Sequence, residues 1–500
     1  MTAESSQSNK IHPLEIAQTT KIKHRNADGM HWFVAAIFIV GDMLGAGMIA
    51  LPVALGHTGL YMGISLILLA SLFSGVTGLQ LGYSWAMMQV RWPQYQEHCR
   101  RPYPEIAYRA LGRSARTFVS IIVCVTQFGL ITVLTILAAK NLSNFLLAIF
   151  DVHLHFCFIV VFLGIFISPF CMLRSPKDFW LAAFCSAISS ITAATIIVVG
   201  SFHDSPACSS HAEHESFNLK NMLLGYGTIV FAYGGHAAFP TIQHDMIKPF
   251  RFNRSMIFSY AILTVVYLLV GISGYFVYGN SMRDTIVPSL QVTWMSQAVN
   301  IMITLHVLPT IIIIFSPIAQ QFEDWTRVPH DFSYKRVLAR SFILCMVVFV
   351  GLSIPDFGVF LDLVGATTMS LMSMILPSIF FLYLKASQIK REALLKEKKL
   401  SLDAPDDCRA TIKDIMKYIP KSLLILSVIS LAFGIIGGLA GTVAALTTLL
   451  TSSEVATPCY ITWFREGISF ERTIAGAVNC CGGFRNVTVF GYDPAGYCSI

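Results

Sequence analysis

The chain has 500 residues, of which 55% are hydrophobic and only 13% are charged, and its formal net charge is +7 at pH 7. This composition is too apolar for a soluble globular domain and too regularly patterned for a disordered chain. We therefore expect an all-α polytopic membrane protein.

Eleven apolar runs follow one another along the chain. Most are long enough to cross a hydrocarbon core about 30 Å thick, which takes roughly 20 helical residues. The runs are 32–56, 60–88, 117–139, 156–173, 179–202, 221–243, 255–278, 295–319, 337–355, 359–384 and 422–450. Residues 1–30 are polar and contain no apolar stretch, so we expect no cleavable signal peptide.

The basic residues predict the orientation. With a cytosolic N-terminus and eleven spans, most Lys and Arg fall on the cytosolic side, ten of them in the loop 385–421. This bias is typical of cytosolic loops, although a contact with lipid headgroups is an alternative for that loop. It explains the positive charge without a nucleic-acid partner, and it places the C-terminus in the extracytosolic space.

The apolar runs and loops predict the organisation of the chain. The predicted segments are a cytosolic tail 1–30, a ten-helix core 31–384, a basic cytosolic loop 385–421, an eleventh helix 422–451 and an extracytosolic tail 452–500.

The first run is interrupted between Gly41 and Pro52. Gly45, Gly47 and the acid Asp42 loosen what is otherwise a plain membrane helix. Backbone groups in hydrocarbon need internal partners, so irregular backbone at that depth indicates a protected cavity. We therefore predict a binding site here.

The sixth run is interrupted in the same way, at Tyr233–Pro240. When this segment is aligned without gaps on Gly45–Pro52, three pairs of residues are identical: Gly47 and Gly235, Ala50 and Ala238, and Pro52 and Pro240. The two prolines lie 188 residues apart. The third and eighth runs are offset by 178 residues and the fourth and ninth by 181. This near-constant offset predicts two five-span repeats, 31–202 and 221–384, that cross the membrane in opposite senses. A simple proline kink in each helix is the alternative.

Interrupted helices can recognise both ends of a zwitterion. The N-terminus of the second half-helix presents free N–H groups to a carboxylate, and the C-terminus of the first presents carbonyls to an ammonium group or a sodium ion. The predicted substrate-binding residues are Leu44, Gly45, Ala46, Gly47, Met48, Gln127, Tyr233, Gly234, Gly235 and His236. The predicted ion-coupling residues are Gly41, Asp42, Leu44, Asn300 and Thr304.

Each of these side chains also has a simpler interpretation. Gln127, Asn300 and Thr304 can serve only helix contacts. Asp42 can make a structural hydrogen bond, although an acid at membrane depth is functional by default. A histidine such as His236 ordinarily titrates near neutral pH, as a proton-coupled carrier requires, but it can also contribute to selectivity by its shape alone. His306 is interpreted as a core histidine, and Asp356 and Asp362 as loop or gate residues near the outer boundary. No His or Cys cluster has the spacing of a metal site, so we predict no cofactor beyond a coupling H⁺ or Na⁺.

Two further features lie near the C-terminus. Glycines in the eleventh helix indicate close helix packing, for which another subunit is one candidate partner. The tail contains a glycosylation sequon at Asn486, and its four cysteines are expected to pair with one another, which would leave Cys208 free. The loop 89–116 contains a predicted amphipathic connector helix, Tyr103–Gly112, that ends at a glycine.

Three segments resemble the amino acid/auxin permease family of the APC superfamily, which includes vesicular, proton-coupled and sodium-coupled amino acid transporters. They are Gly45–Pro52, Phe231–Tyr233 leading to Pro240, and Ile354–Gly358 through Leu363–Ala366. The resemblance covers about residues 30–450. It implies eleven helices in a LeuT-like 5+5 inverted repeat, with helices 1 and 6 discontinuous, and coupled transport of small amino acids.

The resemblance leaves the coupling ion open. Proton-coupled members carry a histidine in the first span where this chain has Phe38, and sodium-coupled members carry an asparagine where it has Gly41.

We therefore predict a secondary transporter of small, neutral amino acids or their derivatives, coupled to protons rather than sodium, and not an enzyme. The host is a plasma, lysosomal or vesicular membrane, and the oligomeric state is not specified by the sequence. A transporter-like sensor that signals through its cytosolic tails is the alternative. An ion channel is disfavoured because no span offers a ring of acids or bases.

Overall fold

A computed structural model describes most of the chain. The described residues are 26, 29–97, 99–150, 152, 154–172, 179–214, 217–282, 284–329, 333–401, 405–451, 457–466, 477–479, 481 and 488–490. Nearly all of the predicted N-terminal tail, the sequon at Asn486, and Cys480 and Cys498 lie outside them.

Helices dominate the first half of the chain. In order they are α1 Trp32–Met43, α2 Ala46–Thr58, α3 Leu60–Arg91, α4 Pro102–Leu111, α5 Arg113–Phe150, α6 Phe156–Cys171 and α7 Phe179–Cys208. Short 3₁₀ turns follow α3 at Pro93–Tyr95 and α7 at Ser209–His211.

The second half continues in the same way. Its helices are α8 Leu219–Ala232, α9 Phe239–His244, α10 Phe252–Tyr278, α11 Thr293–Trp325, α12 Tyr334–Ser353, α13 Phe357–Val364, α14 Leu376–Lys396, α15 Ile412–Tyr418, α16 Lys421–Thr451 and α17 Cys459–Glu466. The 3₁₀ turns are Pro249–Arg251, Gly279–Ser281 and Val287–Ser289, and π-helical turns at Gly365–Met369 and Leu371–Ile375 join α13 to α14.

Many of these helices are long enough to span a membrane. Eight described helical stretches are long and apolar enough to span a bilayer, and the bent pair α1–α2 makes a ninth if it is counted as one span. The apolar helix α6 is shorter. The structure is therefore a helical membrane protein, with a minor addition near the C-terminus. There strand β1, Ala477–Asn479, pairs antiparallel with β2, Thr488–Phe490, and Val478 lies opposite Val489.

Two disulfides tie the C-terminal segment to the helical body. Cys157 at the start of α6 bonds Cys459, and Cys208 at the end of α7 bonds Cys481. The prediction that the tail cysteines pair with one another was wrong for Cys459 and Cys481, and Cys208 is not free. The positions of the cysteines along the chain do not identify these pairs, because the bonded cysteines lie 302 and 273 residues apart and meet only in the folded structure. We call this end of the molecule the disulfide end and the opposite end, with residues 385–421, the basic end.

The glycine face of α16 packs within the same chain. A Cβ added at Gly437 would lie 2.3 Å from the ring of Tyr226 on α8, and one at Gly438 would lie 3.0 Å from the carbonyl oxygen of Ala366. The predicted close packing is confirmed, but the partner is the core and not another subunit. The small residues let α16 approach α8 and the π-helical turns.

The helix predicted between α3 and α5 is confirmed as α4, and Gly112 ends it with φ of +101°. Tyr103 of α4 is buried and its hydroxyl donates to the carbonyl of Met372 at 2.6 Å. Tyr95 donates to Glu105 of α4 at 2.9 Å. The connector is thus fixed to the tenth apolar run.

Candidate functional site

The first interruption separates α1 from α2 by a bend of 56°. Both positions there require glycine, because neighbouring helices approach too closely for a residue with a Cβ. A Cβ on Gly45 would lie 2.5 Å from Nε2 of His306, and a Cβ on Gly47 would lie 2.6 Å from the Cα of Ala232. Both distances are far below the separation of atoms in contact, which is about 3.5–4.0 Å. Glycine therefore lets α2 begin against α8 and α11.

The second interruption lies between α8 and α9. The non-helical residues 233–238 separate Ala232 from Phe239. A Cβ on Gly234 would lie 2.6 Å from Sδ of Met369, and one on Gly235 would lie 3.0 Å from Cγ of Met43. The two interruptions therefore meet, because Gly235 packs directly against the last residue of α1.

Tyr267 of α10 connects the two interruptions. Its buried hydroxyl lies 2.8 Å from the carbonyl oxygen of Met43 and 2.8 Å from that of Ala232. These carbonyls end α1 and α8, where backbone acceptors lack intrahelical donors. A hydroxyl has one proton, so it donates to one carbonyl at a time and links the ends of both half-helices.

A small cavity of about 40 Å³ lies where the interruptions meet. Its lining comes from both interruptions, from α5 and α11, and from the first π-helical turn. The lining residues are Asp42, Met43, Gly45, Ala46, Gly47, Leu130, Leu134, Phe231, Ala232, Gly234, His306, Thr310, Ile314 and Met369. This volume holds only a few water molecules. The walls of the cavity are polar and apolar in nearly equal parts.

Five of the predicted site residues line this cavity, namely Asp42, Gly45, Ala46, Gly47 and Gly234. Ala46 and Gly47 lie in the first turn of α2, where amides have no intrahelical partner. Gly45 caps α2 without a side-chain hydrogen bond. Within the described part of the chain, no ion pair or side-chain hydrogen bond engages Asp42. The cavity thus contains an acid and a set of amides from one interruption.

The other predicted residues are not part of the lining. They are Gly41, Leu44, Met48, Gln127, Tyr233, Gly235, His236, Asn300 and Thr304. Leu44 is closely associated, because its carbonyl accepts from the Ser190 hydroxyl at 2.6 Å. Gln127 lies on α5 at helical spacing from Leu130 and Leu134, and its buried Oε1 has no partner.

His236 is held in a separate polar cluster beside the second interruption. Its Nε2 lies 3.1 Å from the hydroxyl of Thr77 and 3.1 Å from the carbonyl of Ser74, and its Nδ1 is buried without a partner. Ser74 in turn bonds the carbonyl of Tyr233 and the hydroxyl of Tyr260. His236 therefore joins α3 to the interruption at residues 233–238 and does not face the cavity.

Asn300 and Thr304 contact each other and the rest of α11. The Thr304 hydroxyl donates to the carbonyl of Asn300 at 2.7 Å, and the Asn300 amide donates to Gln297 at 3.2 Å. These are contacts within one helix, as the simpler interpretation of both residues expects. The cavity is lined further along α11, by His306, Thr310 and Ile314.

Two side chains have neighbours that the sequence did not identify. His306, interpreted there as a core histidine, lines the cavity. Asp362, interpreted as a loop or gate residue near the outer boundary, is 5% exposed and accepts a hydrogen bond from Thr228 of α8. The sequence context of both residues is ambiguous, because the place of a lone polar residue in an apolar run indicates its position along the helix but not which neighbouring helix it contacts. No cluster of three or more potential metal ligands occurs among the described residues.

Comparison with known proteins places this geometry in a family. Residues 28–401 match the family model described as "Transmembrane amino acid transporter protein". Two relatives from Arabidopsis thaliana are the amino acid transporters AVT1B and AVT1I. AVT1B is 26% identical, and the match covers 69% of this chain and 63% of AVT1B. AVT1I is 23% identical, and the match covers 72% of this chain and 88% of AVT1I. A third, AVT1C, is 25% identical over 68% of this chain and 61% of its own. The chain thus spans less than two thirds of the length of AVT1B and AVT1C.

Solved structures agree in fold. A mutant of a manganese transporter from Eremococcus coleocola is 11% identical, with a TM-score of 0.55 over 87% of this chain and 90% of its own. MHP1, a nucleobase-cation-symport-1 family transporter in a closed conformation with bromovinylhydantoin bound, is 12% identical, with a TM-score of 0.50 over 88% and 97%. At this identity the similarity shows the fold alone. With the family model matching most of its length, the chain belongs to the transmembrane amino acid transporter protein family and is an integral membrane protein.

Proposed function

We propose that this protein is a secondary active transporter of small, neutral amino acids, coupled to protons and working by alternating access. The observation that carries the proposal is the cavity at which both interrupted helices meet. Paired broken helices at the centre of a membrane protein are the usual place for substrate and coupling ion. The family membership supports an amino acid as substrate and confirms that the chain is not an enzyme.

The cavity offers complementary groups to a zwitterion. The amides of Ala46 and Gly47, at the positive end of the α2 dipole, suit the carboxylate. The carboxylate of Asp42 and the carbonyl of Ala232 suit the ammonium group. The volume of about 40 Å³ favours a short side chain, and the leucine and isoleucine side chains in the lining favour an uncharged one.

Proton coupling is supported by the kind of polar side chains in the cavity. Asp42 and His306 can both bind a proton, whereas Asn300 and Thr304, the residues predicted for sodium, are outside the lining. The coupling ion is therefore proposed to be H⁺.

We also propose eleven spans arranged as a 5+5 inverted repeat, 31–202 and 221–384. The eight long apolar stretches and the bent pair α1–α2 give nine spans, and α6 and the α8–α9 pair bring the number to eleven. The disulfide end is proposed to be extracytosolic, because disulfides persist in oxidising compartments, and the basic end cytosolic. The host is then a plasma, lysosomal or vesicular membrane, and the basic loop 385–421 lies in the cytosol.

The test is flux in proteoliposomes. We expect labelled glycine or alanine to accumulate when an inward proton gradient is imposed and not when an inward sodium gradient is imposed at equal pH. Accumulation under the sodium gradient alone would contradict proton coupling. Saturable binding of these amino acids with no flux under either gradient would favour the alternative, a transporter-like sensor.

A further inference from the structure

His306 occupies a junction of three helices beside the first interruption. The side chain is 1% exposed, and its Nδ1 lies 3.1 Å from the hydroxyl of Ser190 on α7. The same hydroxyl lies 2.6 Å from the carbonyl oxygen of Leu44. The imidazole edge at Nε2 abuts Gly45, where an added Cβ would lie 2.5 Å away. His306 therefore connects α11 to α7 and to the end of α1.

This arrangement assigns the neutral tautomer. The Ser190 hydroxyl has one proton, and we assign it to the bond with the Leu44 carbonyl, which can only accept and is the nearer partner, at 2.6 Å against 3.1 Å for Nδ1. It must then accept from Nδ1–H of His306, so Nε2 of the neutral ring carries the lone pair. That lone pair lies on the edge of the ring that meets Gly45, a residue lining the cavity.

Burial of the ring opposes a positive charge at this place, and two groups of the first interruption favour it. Leu44 follows the last residue of α1, where the helix dipole has its negative end. Asp42, the other titratable side chain among the described lining residues, supplies a second source of negative potential. A cation at the ring would therefore be stabilised by the same interruption that binds the substrate.

Other titratable groups on the helices packed around α11 are thiols or lie near the ends. The thiols are Cys124 on α5, Cys171 on α6, Cys185 on α7 and Cys345 on α12. The charged groups near helix ends include Lys140 and Asp204 towards the disulfide end, and Arg336 and Arg340, paired with Glu323, towards the basic end. Arg113 and Arg116 lie at the start of α5, and Lys335 lies at the start of α12. None of these charged groups lines the cavity.

We propose that His306 is the proton-coupling residue of this transporter. One proton binds at Nε2 from the cavity when the cavity is open to one side. The positive charge of the imidazolium then strengthens the Nδ1–H bond to Ser190, which already links α7 and the end of α1 to α11 in the neutral state. The proton leaves Nε2 through the cavity when it opens to the other side. This inference rests on the proposed proton-coupled function and identifies its coupling group.

The test separates binding from coupling with His306→Gln in proteoliposomes, probed with labelled glycine and alanine. Counterflow exchange of substrate needs no net proton movement, so the exchange rate of the variant serves as the reference for substrate binding. Relative to that exchange rate, accumulation driven by a proton gradient should fall at least tenfold, and the pH profile of uptake between pH 5 and 8 should flatten. The matched control is His203→Gln, because the His203 side chain lies near the end of α7 and is 63% exposed. This variant should behave as wild type.

A His306→Gln protein that still accumulates substrate under a proton gradient would overturn the inference. If that variant loses exchange as well, Ser190→Ala decides, because it keeps the imidazole and removes the acceptor of Nδ1–H. It should shift the pH midpoint of uptake, and an unchanged midpoint would overturn the inference. A wild-type protein that shows no proton-driven accumulation would instead refute the proposed function.

Discussion

Replacing Gly47 by alanine tests the contact between the two interruptions. The new Cβ would lie 2.6 Å from the Cα and 2.7 Å from the Cβ of Ala232. Carbon atoms pack at about 3.5–4.0 Å, so α2 and α8 must separate by roughly 1 Å. Neither contact is the end of a flexible side chain, so the helices themselves must move.

The cost follows from the packing. Adding a methyl group to a well-packed interior costs about 1–3 kcal/mol. If this cost falls on the substrate-bound state, the affinity for substrate decreases by about 5- to 150-fold. Equilibrium binding of labelled glycine or alanine to the purified protein measures the decrease, and a melting curve verifies that the variant is folded.

The matched control is Gly56→Ala on the same helix. A Cβ at Gly56 meets no atom within 4 Å, so this variant should bind as wild type. Wild-type affinity in Gly47→Ala, measured beside this control, would refute the view that the first turn of α2 and the end of α8 form one site.

Other predictions concern charge, topology and covalent structure. Asp42→Asn should weaken binding of the ammonium group and, because it removes negative potential beside His306, alter the pH profile of uptake. Wild-type affinity together with an unchanged profile would contradict both roles of Asp42. Asp414→Asn should leave that profile unchanged between pH 5 and 8, because hydrogen bonds from Lys390 and Thr411 lower the pKa of Asp414 to about 2. A carboxyl with a lowered pKa stabilises the folded loop above its unfolded pKa and loses that contribution only as the pH falls through about 2, so a changed profile would contradict this reasoning. After cleavage introduced between residues 451 and 457, the C-terminal fragment should stay attached without reductant through Cys459 and Cys481, and release before reduction would contradict both disulfides. A glycan on Asn486, lost in Asn486→Gln, is expected if the tail is extracytosolic, and labelling of this tail from the cytosolic side would contradict the topology.

The positions of the two interruptions could be predicted from the sequence, because glycine and proline mark irregular backbone wherever they stand in an apolar run. Gly45 and Gly47 were identified in this way, and both line the cavity. The segment at residues 233–240 was identified by its likeness to the first, and Gly234 also lines the cavity.

The neighbours of the interruptions could not be predicted in the same way. Whether His306 faces lipid, core or cavity depends on how α11 is rotated against α1 and α7, and this rotation is set by packing along whole helices. The disulfide partners depend on where the C-terminal segment returns to the body, which spacing does not encode. The contact of Asp362 with Thr228 likewise requires the crossing of α13 over α8.

The most direct test of the account is a structure of the protein with its transported amino acid bound. We predict the carboxylate within hydrogen-bonding distance of the amides of Ala46 and Gly47, and the ammonium group on the side of Asp42 and Ala232. A substrate bound away from both interruptions, with this cavity unchanged, would contradict the central claim that the two broken helices form the transport site.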